Sequence, residues 1–133
     1  MTMTLIDWSA RISAMADALS VLDGGFSVDP RDGSDVRCGY AVAVHPELEC
    51  VYERRVTSSD IHEYVSAAKG ALSLPGRVLG GWRDPMTGRV YLDVSVVTAE
   101  LPEAMTLAAE ASQLAIFDFA AMTSIPVLAP SVA

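Results

Sequence analysis

Residues 78–97 have the sequence VLGGWRDPMTGRVYLDVSVV and give the clearest structural signal in the chain. Two largely apolar runs flank the segment 84–88, Asp-Pro-Met-Thr-Gly. Proline restricts φ and glycine tolerates a positive φ, so this segment is typical of a tight turn. The stretch therefore predicts a β-hairpin with strands at 78–83 and 89–97.

The second strand of this hairpin has two unlike faces. Aliphatic residues occupy its even positions, whereas Tyr91, Asp93 and Ser95 occupy odd positions. Successive side chains of a strand point to opposite sides of the sheet, so one face is apolar and the other mixed. We expect helices to cover the apolar face, and the sequence leaves open what lies against the other.

Three stretches have the pattern of amphipathic helices. Apolar residues recur at steps of three and four over 5–22, where Asp7 lies near the N-cap and Gly24 follows the end. A second helix is predicted at 58–72, with N-cap side chains at its start, and an alanine-rich third at 102–112.

The remaining strands are short. An extended segment is predicted at 26–28, with strands at 40–44, 50–56 and 114–119 and an edge strand at 125–128. We expect 40–44 and 50–56 to form a hairpin joined near Pro46 and Glu47. That register would place Cys38 and Cys50 on the order of 20 Å apart, too far for a disulfide. Two free thiols are typical of a reducing cytoplasm.

Two parts of the sequence share a pattern. Gly-Gly-Phe at 24–26 is followed by an Asp-Pro-x-x-Gly segment, and Gly-Gly-Trp at 80–82 is followed by another at similar spacing. This predicts two α-β-β units at about 5–56 and 57–99, then an α-β unit at about 100–128. The alternative is that ordinary turn sequences occur twice.

These elements predict one α+β domain over residues 1–133. A chain of this length can bury a sizeable core without a metal or a disulfide. We expect a mainly antiparallel sheet of five to six strands with three helices on one face.

The chain is acidic, with a formal net charge of -8 from 17 acidic and nine basic residues. This argues against direct nucleic-acid binding, which depends on lysine and arginine. An acidic surface attracts basic partners, although solubility alone also explains it. Residues 1–5 lack the basic start of a secretory signal, and no segment reaches the ~20 apolar residues of a membrane span. We expect a cytoplasmic protein without membrane contact.

No motif for catalysis or metal binding is present in the sequence. The two histidines, His45 and His62, and the two cysteines have no zinc-ligand spacing. Nucleophile and phosphate-binding motifs are also absent from the sequence. We therefore predict no catalytic residue, no metal site and no cofactor.

Three acidic residues are candidates for chemistry nonetheless: Asp84, Asp93 and Asp118. Carboxylates at neighbouring strand ends can hold a metal or act as acid and base. The alternative is structural: Asp84 closes a turn, Asp93 is solvated or pairs with an arginine, and Asp118 marks a strand end.

Four aromatic residues are expected to cluster if the two hairpins are equivalent: Phe26, Tyr40, Trp82 and Tyr91. On an uncovered sheet face they would form an interaction patch for a partner or for a second copy of the chain. Packing beneath the helices is the alternative.

The segments GGWRDPMTGRVYLDVS (80–95) and QLAIFD (113–118) resemble small uncharacterised proteins of actinobacteria and of their phages and plasmids. GGFSVD (24–29) and GYAV (39–42) fit the same group. The resemblance implies a source and an accessory role, and it transfers no catalytic residue.

The leading hypothesis is a non-enzymatic accessory protein of phage or mobile-element type that binds a host protein or itself as a homodimer. Its sharper form is inhibition of a host nucleic-acid-handling factor. The alternatives are a small hydrolase that uses Asp84, Asp93 or His45, and a small-ligand-binding protein.

Overall fold

A computed structural model describes residues 7–127 of the chain. These residues form four helices and a seven-stranded antiparallel sheet, so the predicted α+β fold is confirmed and the strand count is slightly higher than expected. The helices are α1 Trp8–Ala18, α2 Ser58–Ala67, α3 Lys69–Leu72 and α4 Leu101–Glu110. The strands are β1 Gly25–Val28, β2 Tyr40–Val42, β3 Cys50–Tyr52, β4 Arg77–Arg83, β5 Val90–Thr98, β6 Ala115–Asp118 and β7 Thr123–Pro126.

The predicted hairpin at 78–97 is confirmed, and its strands β4 and β5 lie in the interior of the sheet. Strands lie in the order β1-β4-β5-β2-β6-β7, and β3 also pairs with β5. In the β4–β5 register, Trp82 lies opposite Tyr91 and Gly80 opposite Asp93. The connecting turn closes as its sequence predicts, because the Asp84 side chain accepts a hydrogen bond from the Met86 amide at 2.8 Å and Gly88 has φ +75°.

The core lies on one face of this sheet, as expected. Val90, Leu92 and Val94 of β5 are buried in one cluster with α1, α2 and α3. Farther along the same face, Val42 and Ile116 pack against α4. None of the helices within residues 7–127 is long and apolar enough to span a membrane.

The predicted hairpin between β2 and β3 is wrong. Both strands pair with the same edge of β5, with Tyr40 opposite Thr98 and Cys50 opposite Leu92. They follow one another along β5 because that strand is nine residues long and each of them has only three. The β5 partners of the two strands, Thr98 and Leu92, are six positions apart, about 20 Å. The exposed Cys38 and Cys50 are therefore far apart because β2 and β3 lie in line, and not because of a hairpin register.

The two Asp-Pro-x-x-Gly segments adopt the same turn. Asp29 accepts from the Arg31 amide at 2.9 Å, as Asp84 does from Met86, and Gly33 has φ +74°. The strands that follow differ. After the first turn only a single bridge forms, between Val28 and Asp35, and the chain then continues to β2 on the far side of β5.

The predicted helices, and the predicted strands at 40–44, 50–56 and 114–119, are shorter in the structure, whereas β1, β4 and β5 are as long as predicted or one residue longer. The stretch 58–72 forms two helices, α2 and α3, with Ala68 between them. The N-cap of α2 is Thr57, which accepts from the Asp60 amide while Asp60 accepts from the Thr57 amide. The ends of the predicted elements at Leu5 and Leu128, and the segment 1–5, lie outside the described residues.

Substituting Thr57 with alanine is expected to lower the free energy of unfolding by about 1 kcal/mol, because one amide at the start of α2 loses its acceptor. Chemical denaturation of Thr57→Ala and of the matched control Ser58→Ala tests this. An equal effect of both substitutions would contradict the assigned cap.

Candidate functional site

The face of the sheet opposite the helices is concave and forms a cavity of about 950 Å³ that is open to solvent. Its floor consists of small residues, among them Ser27, Ala41, Ala43, Gly80 and Ala115. Larger residues line its borders: Trp82 at one end and Phe117, Phe119 and Met122 from the β6–β7 region. Small side chains in the middle and larger ones around them make this face a trough.

The connection between β1 and β2 contributes to the trough. These strands lie on opposite sides of the β4–β5 pair, so the chain has to pass from one side to the other. Residues 35–37 of this connection line the cavity. Val78 and Ser95, which also line it, are buried although no helix covers this face.

Asp93 is the acidic residue at the centre of the floor. Its carboxyl group lies over Gly80, where an added Cβ would be 2.5 Å from Oδ1. The Ser95 hydroxyl donates to the same oxygen at 3.3 Å. None of the ion pairs within residues 7–127 involves Asp93. Burial raises the pKa of Asp93, the bond from Ser95 lowers it in part, and the charge of Glu49 raises it further.

An exposed apolar row borders the trough. It consists of three neighbouring residues on β3, β5 and β4, namely Val51, Tyr91 and Trp82, which we call the apolar row. The rings of Trp82 and Tyr91 stack with centroids 6.0 Å apart. The indole Nε1 of Trp82 donates to Asp23 Oδ1 at 2.8 Å, which fixes the ring although 42% of Trp82 is exposed.

The four aromatic residues of the predicted interaction patch do not form one cluster. Trp82 and Tyr91 lie together on the helix-free face, whereas Phe26 packs against the helical core. Tyr40 packs with the cluster beneath α4. Phe26 lies opposite Gly81, one position out of step with Trp82, and a shift of one residue reverses the face.

The three acidic candidates are also apart. Asp84 closes its turn, and Asp118 accepts from the Ala120 and Ala121 amides at 3.0 and 3.3 Å. Gly80 of β4 is the partner of Asp93. Asp84 follows the end of β4, four positions and about 13 Å from Gly80. No group of three potential metal ligands exists within residues 7–127. Of the three, Asp93 lines the trough, and Asp84 and Asp118 do not.

His45 does not join Asp93 either. Its Nε2 accepts from Arg77 Nε at 3.2 Å, and its Nδ1 lies 3.2 Å from Glu47. Arg77 is opposite Val96, on the face that packs against the helices, so His45 is on the other side of the sheet from Asp93. His62 is exposed on α2. The residues named for a hydrolase are therefore not assembled into one site.

Sequence reasoning missed the trough because its walls come from distant segments. The alternation along β5 predicts that Asp93 lies on the face of the sheet opposite the helices. Gly80 is the residue in the sequence that could have indicated space for the carboxyl group. No local pattern indicated that 35–37 and the β6–β7 region would enclose it.

No protein-family model matches the chain, and neither a curated protein nor a solved structure matches it. The resemblance to proteins of actinobacteria and their phages therefore stays a prediction.

Replacing Asp93 with asparagine is expected to raise the free energy of unfolding at pH 8 by about 1–3 kcal/mol, because a partly buried charge that forms no ion pair within residues 7–127 is removed. The pKa of Asp93 is raised in the folded state, so protonation of this carboxyl group stabilises the fold. This stabilisation is fully present when the pH is below 3.8, the ordinary pKa of the group. That stabilisation is lost as pH rises through the folded pKa. The gain in Asp93→Asn should therefore shrink at pH 3.

Denaturation curves at the two pH values measure this difference, with the exposed Glu110→Gln as the control. An equal gain at pH 3 and pH 8 would show that the charge of Asp93 is not the cause.

Substituting Gly80 with alanine is expected to lower the free energy of unfolding by about 1–3 kcal/mol, because the new Cβ overlaps the Asp93 carboxyl group. The loss should largely disappear in an Asp93→Ala background, since the two residues are in contact. A double-mutant cycle measures this coupling, and Gly70→Ala, with nothing within 4 Å of its Cβ, is the control. Additive effects would contradict the contact.

Proposed function

We propose that this protein is a non-enzymatic binding protein whose partner docks on the helix-free face. The observation that carries this function is a fixed, exposed tryptophan beside a concave cavity whose floor holds a carboxyl group with no ion pair within residues 7–127. The candidate residues for hydrolysis lie apart, so binding accounts for the geometry better than catalysis.

The apolar row is the centre of the surface on which the partner docks. Tryptophan and tyrosine contribute most of the binding energy at many protein interfaces. The hydrogen bond to Asp23 and the stacking on Tyr91 already hold Trp82 in place. Little conformational entropy is therefore lost when a partner covers it. Val51, of which 48% is exposed, extends the apolar surface along the same row.

The charge of the site favours a basic partner. Asp23, Asp35 and Asp93 line the trough, and the one basic residue among its lining residues, Arg37, lies 3.7 Å from Asp35. The net charge of -8 has the same sign. A two-fold dimer through this face would bring its acidic residues against their own copies, so a different protein fits better than a second copy.

The cellular role in this proposal is a cytoplasmic accessory protein of a phage or mobile element, acting on a host protein. Inhibition of a nucleic-acid-handling factor is its sharpest form, because such factors present basic surfaces. This part depends on the sequence resemblance and on the acidic charge.

Small-ligand binding is the second candidate function, and the cavity volume favours it. About 950 Å³ is within the range of sites that hold small molecules, and the lining combines apolar residues with polar and charged ones.

Substituting Trp82 with alanine is expected to weaken partner binding at least ten-fold, on the order of 1.4 kcal/mol or more. Tagged chain is incubated with an actinobacterial lysate, and stoichiometrically bound protein is quantified alongside the mass of the chain in solution. Leu74→Ala is the control, because Leu74 is similarly exposed, at 45%, and does not line the trough.

A partner retained by Leu74→Ala and lost by Trp82→Ala supports the proposal. A monomeric chain without any stoichiometric partner, or equal retention by both variants, would contradict it.

A further inference from the structure

On the basis of the proposed binding function, we infer that the partner inserts an arginine side chain into the trough. Its guanidinium group pairs with Asp93, and its aliphatic stem lies towards the ring of Trp82. The inference names the chemistry that the site recognises, and it follows from the unused hydrogen-bonding capacity of Asp93, the space above Gly80 and the position of Trp82.

Asp93 has more hydrogen-bonding capacity than the described residues use. An ionised carboxylate can accept about four hydrogen bonds. Within residues 7–127 the Asp93 carboxylate accepts one, at 3.3 Å from Ser95, which is long for a bond from a hydroxyl group. A partly buried carboxylate with so few hydrogen bonds is stabilised by a cation that reaches it.

The chain's own basic side chains are engaged elsewhere or lie outside the trough. Arginine side chains at 11, 31, 54 and 89 pair with carboxylates at 35, 29, 60 and 53. Arg77 and Arg83 donate to His45 and to the carbonyl oxygen of Ser20. Arg37 lines the trough, but its side chain is 84% exposed and lies beside Asp35. Arg55 and Lys69 do not line the trough. No basic side chain within residues 7–127 forms an ion pair with Asp93, so we expect the cation for Asp93 to come from another molecule.

The trough gives an entering group access to Asp93. Asp93 lines the cavity, and its carboxyl group lies over Gly80, which has no side chain to cover it. Trp82 projects from the same face two positions farther along β4, about 7 Å away. A side chain that reaches Asp93 can thus also contact the indole ring.

These two contacts suit arginine better than lysine. A guanidinium group forms two parallel hydrogen bonds with one carboxylate, whereas an ammonium group is a compact point charge. Guanidinium groups also stack on aromatic rings, and Trp82 has the ring type that favours this most. The apolar stem of arginine can cover the exposed part of the ring.

The test uses N-acetyl-L-argininamide as a probe for the full chain, followed by NMR at the Gly80 amide and the Trp82 indole N–H. We expect saturable shifts at both groups. Binding should be at least ten-fold weaker with N-acetyl-L-citrullinamide, which has nearly the same shape without the charge, and weaker with N-acetyl-L-lysinamide. Asp93→Asn should remove the response, whereas Asp84→Asn, in the turn outside the trough, should keep it.

Three results would overturn the inference: equal binding of the citrulline derivative, an unchanged response in Asp93→Asn, or tighter binding of a small polyamine, which would indicate a small-molecule ligand. The Arg37→Gln variant tests whether Arg37 of the same chain occupies the site. A response to the probe that appears only in this variant would show that it does. A partner that depends on Trp82 without any arginine response would leave the protein-binding function standing and reject this inference.

Discussion

Strand β5 is the constraint on which the rest of the structure depends. It pairs with β4 along one edge and with β2 and β3 on the other, so three strands take their register from it. Its even positions Val90, Leu92 and Val94 form part of the helical core, and its odd positions Asp93 and Ser95 line the trough. A shift of one residue in β5 would expose the core and bury the site, because strand side chains alternate with a period of two.

Asp93 shows the cost of this arrangement. A partly buried carboxyl group at the centre of a sheet, with no ion pair within residues 7–127, is expected to lower the stability of the fold at neutral pH. Glycine at 80 lets the group fit, whereas a larger residue would displace it. Local features that reduce stability without a structural benefit are expected at functional sites, and Asp93 lies in the trough.

The two similar sequence segments have different structural roles because of where they lie in the sheet. Their turns are alike in hydrogen bonding and in glycine φ, since five consecutive residues suffice to fix that geometry. Their strands pair with each other, antiparallel and one position out of step, so Phe26 enters the core and Trp82 reaches the helix-free face. Sequence similarity here predicts the turn and does not predict the face.

The amino-acid sequence by itself determined the elements whose interactions are local. These are the β4–β5 hairpin with its Asp-Pro turn, the N-cap at Asp7, the approximate positions of the helices and the alternation that separates Leu92 from Asp93. Only the tertiary structure decided the rest: β2 and β3 in line along β5, the wall formed by 35–37 and the β6–β7 region, and the position of Asp93 without an ion pair within residues 7–127. The reason is that a turn or a cap is fixed within a few residues, whereas the partner of a short strand is chosen by packing between segments far apart in the chain.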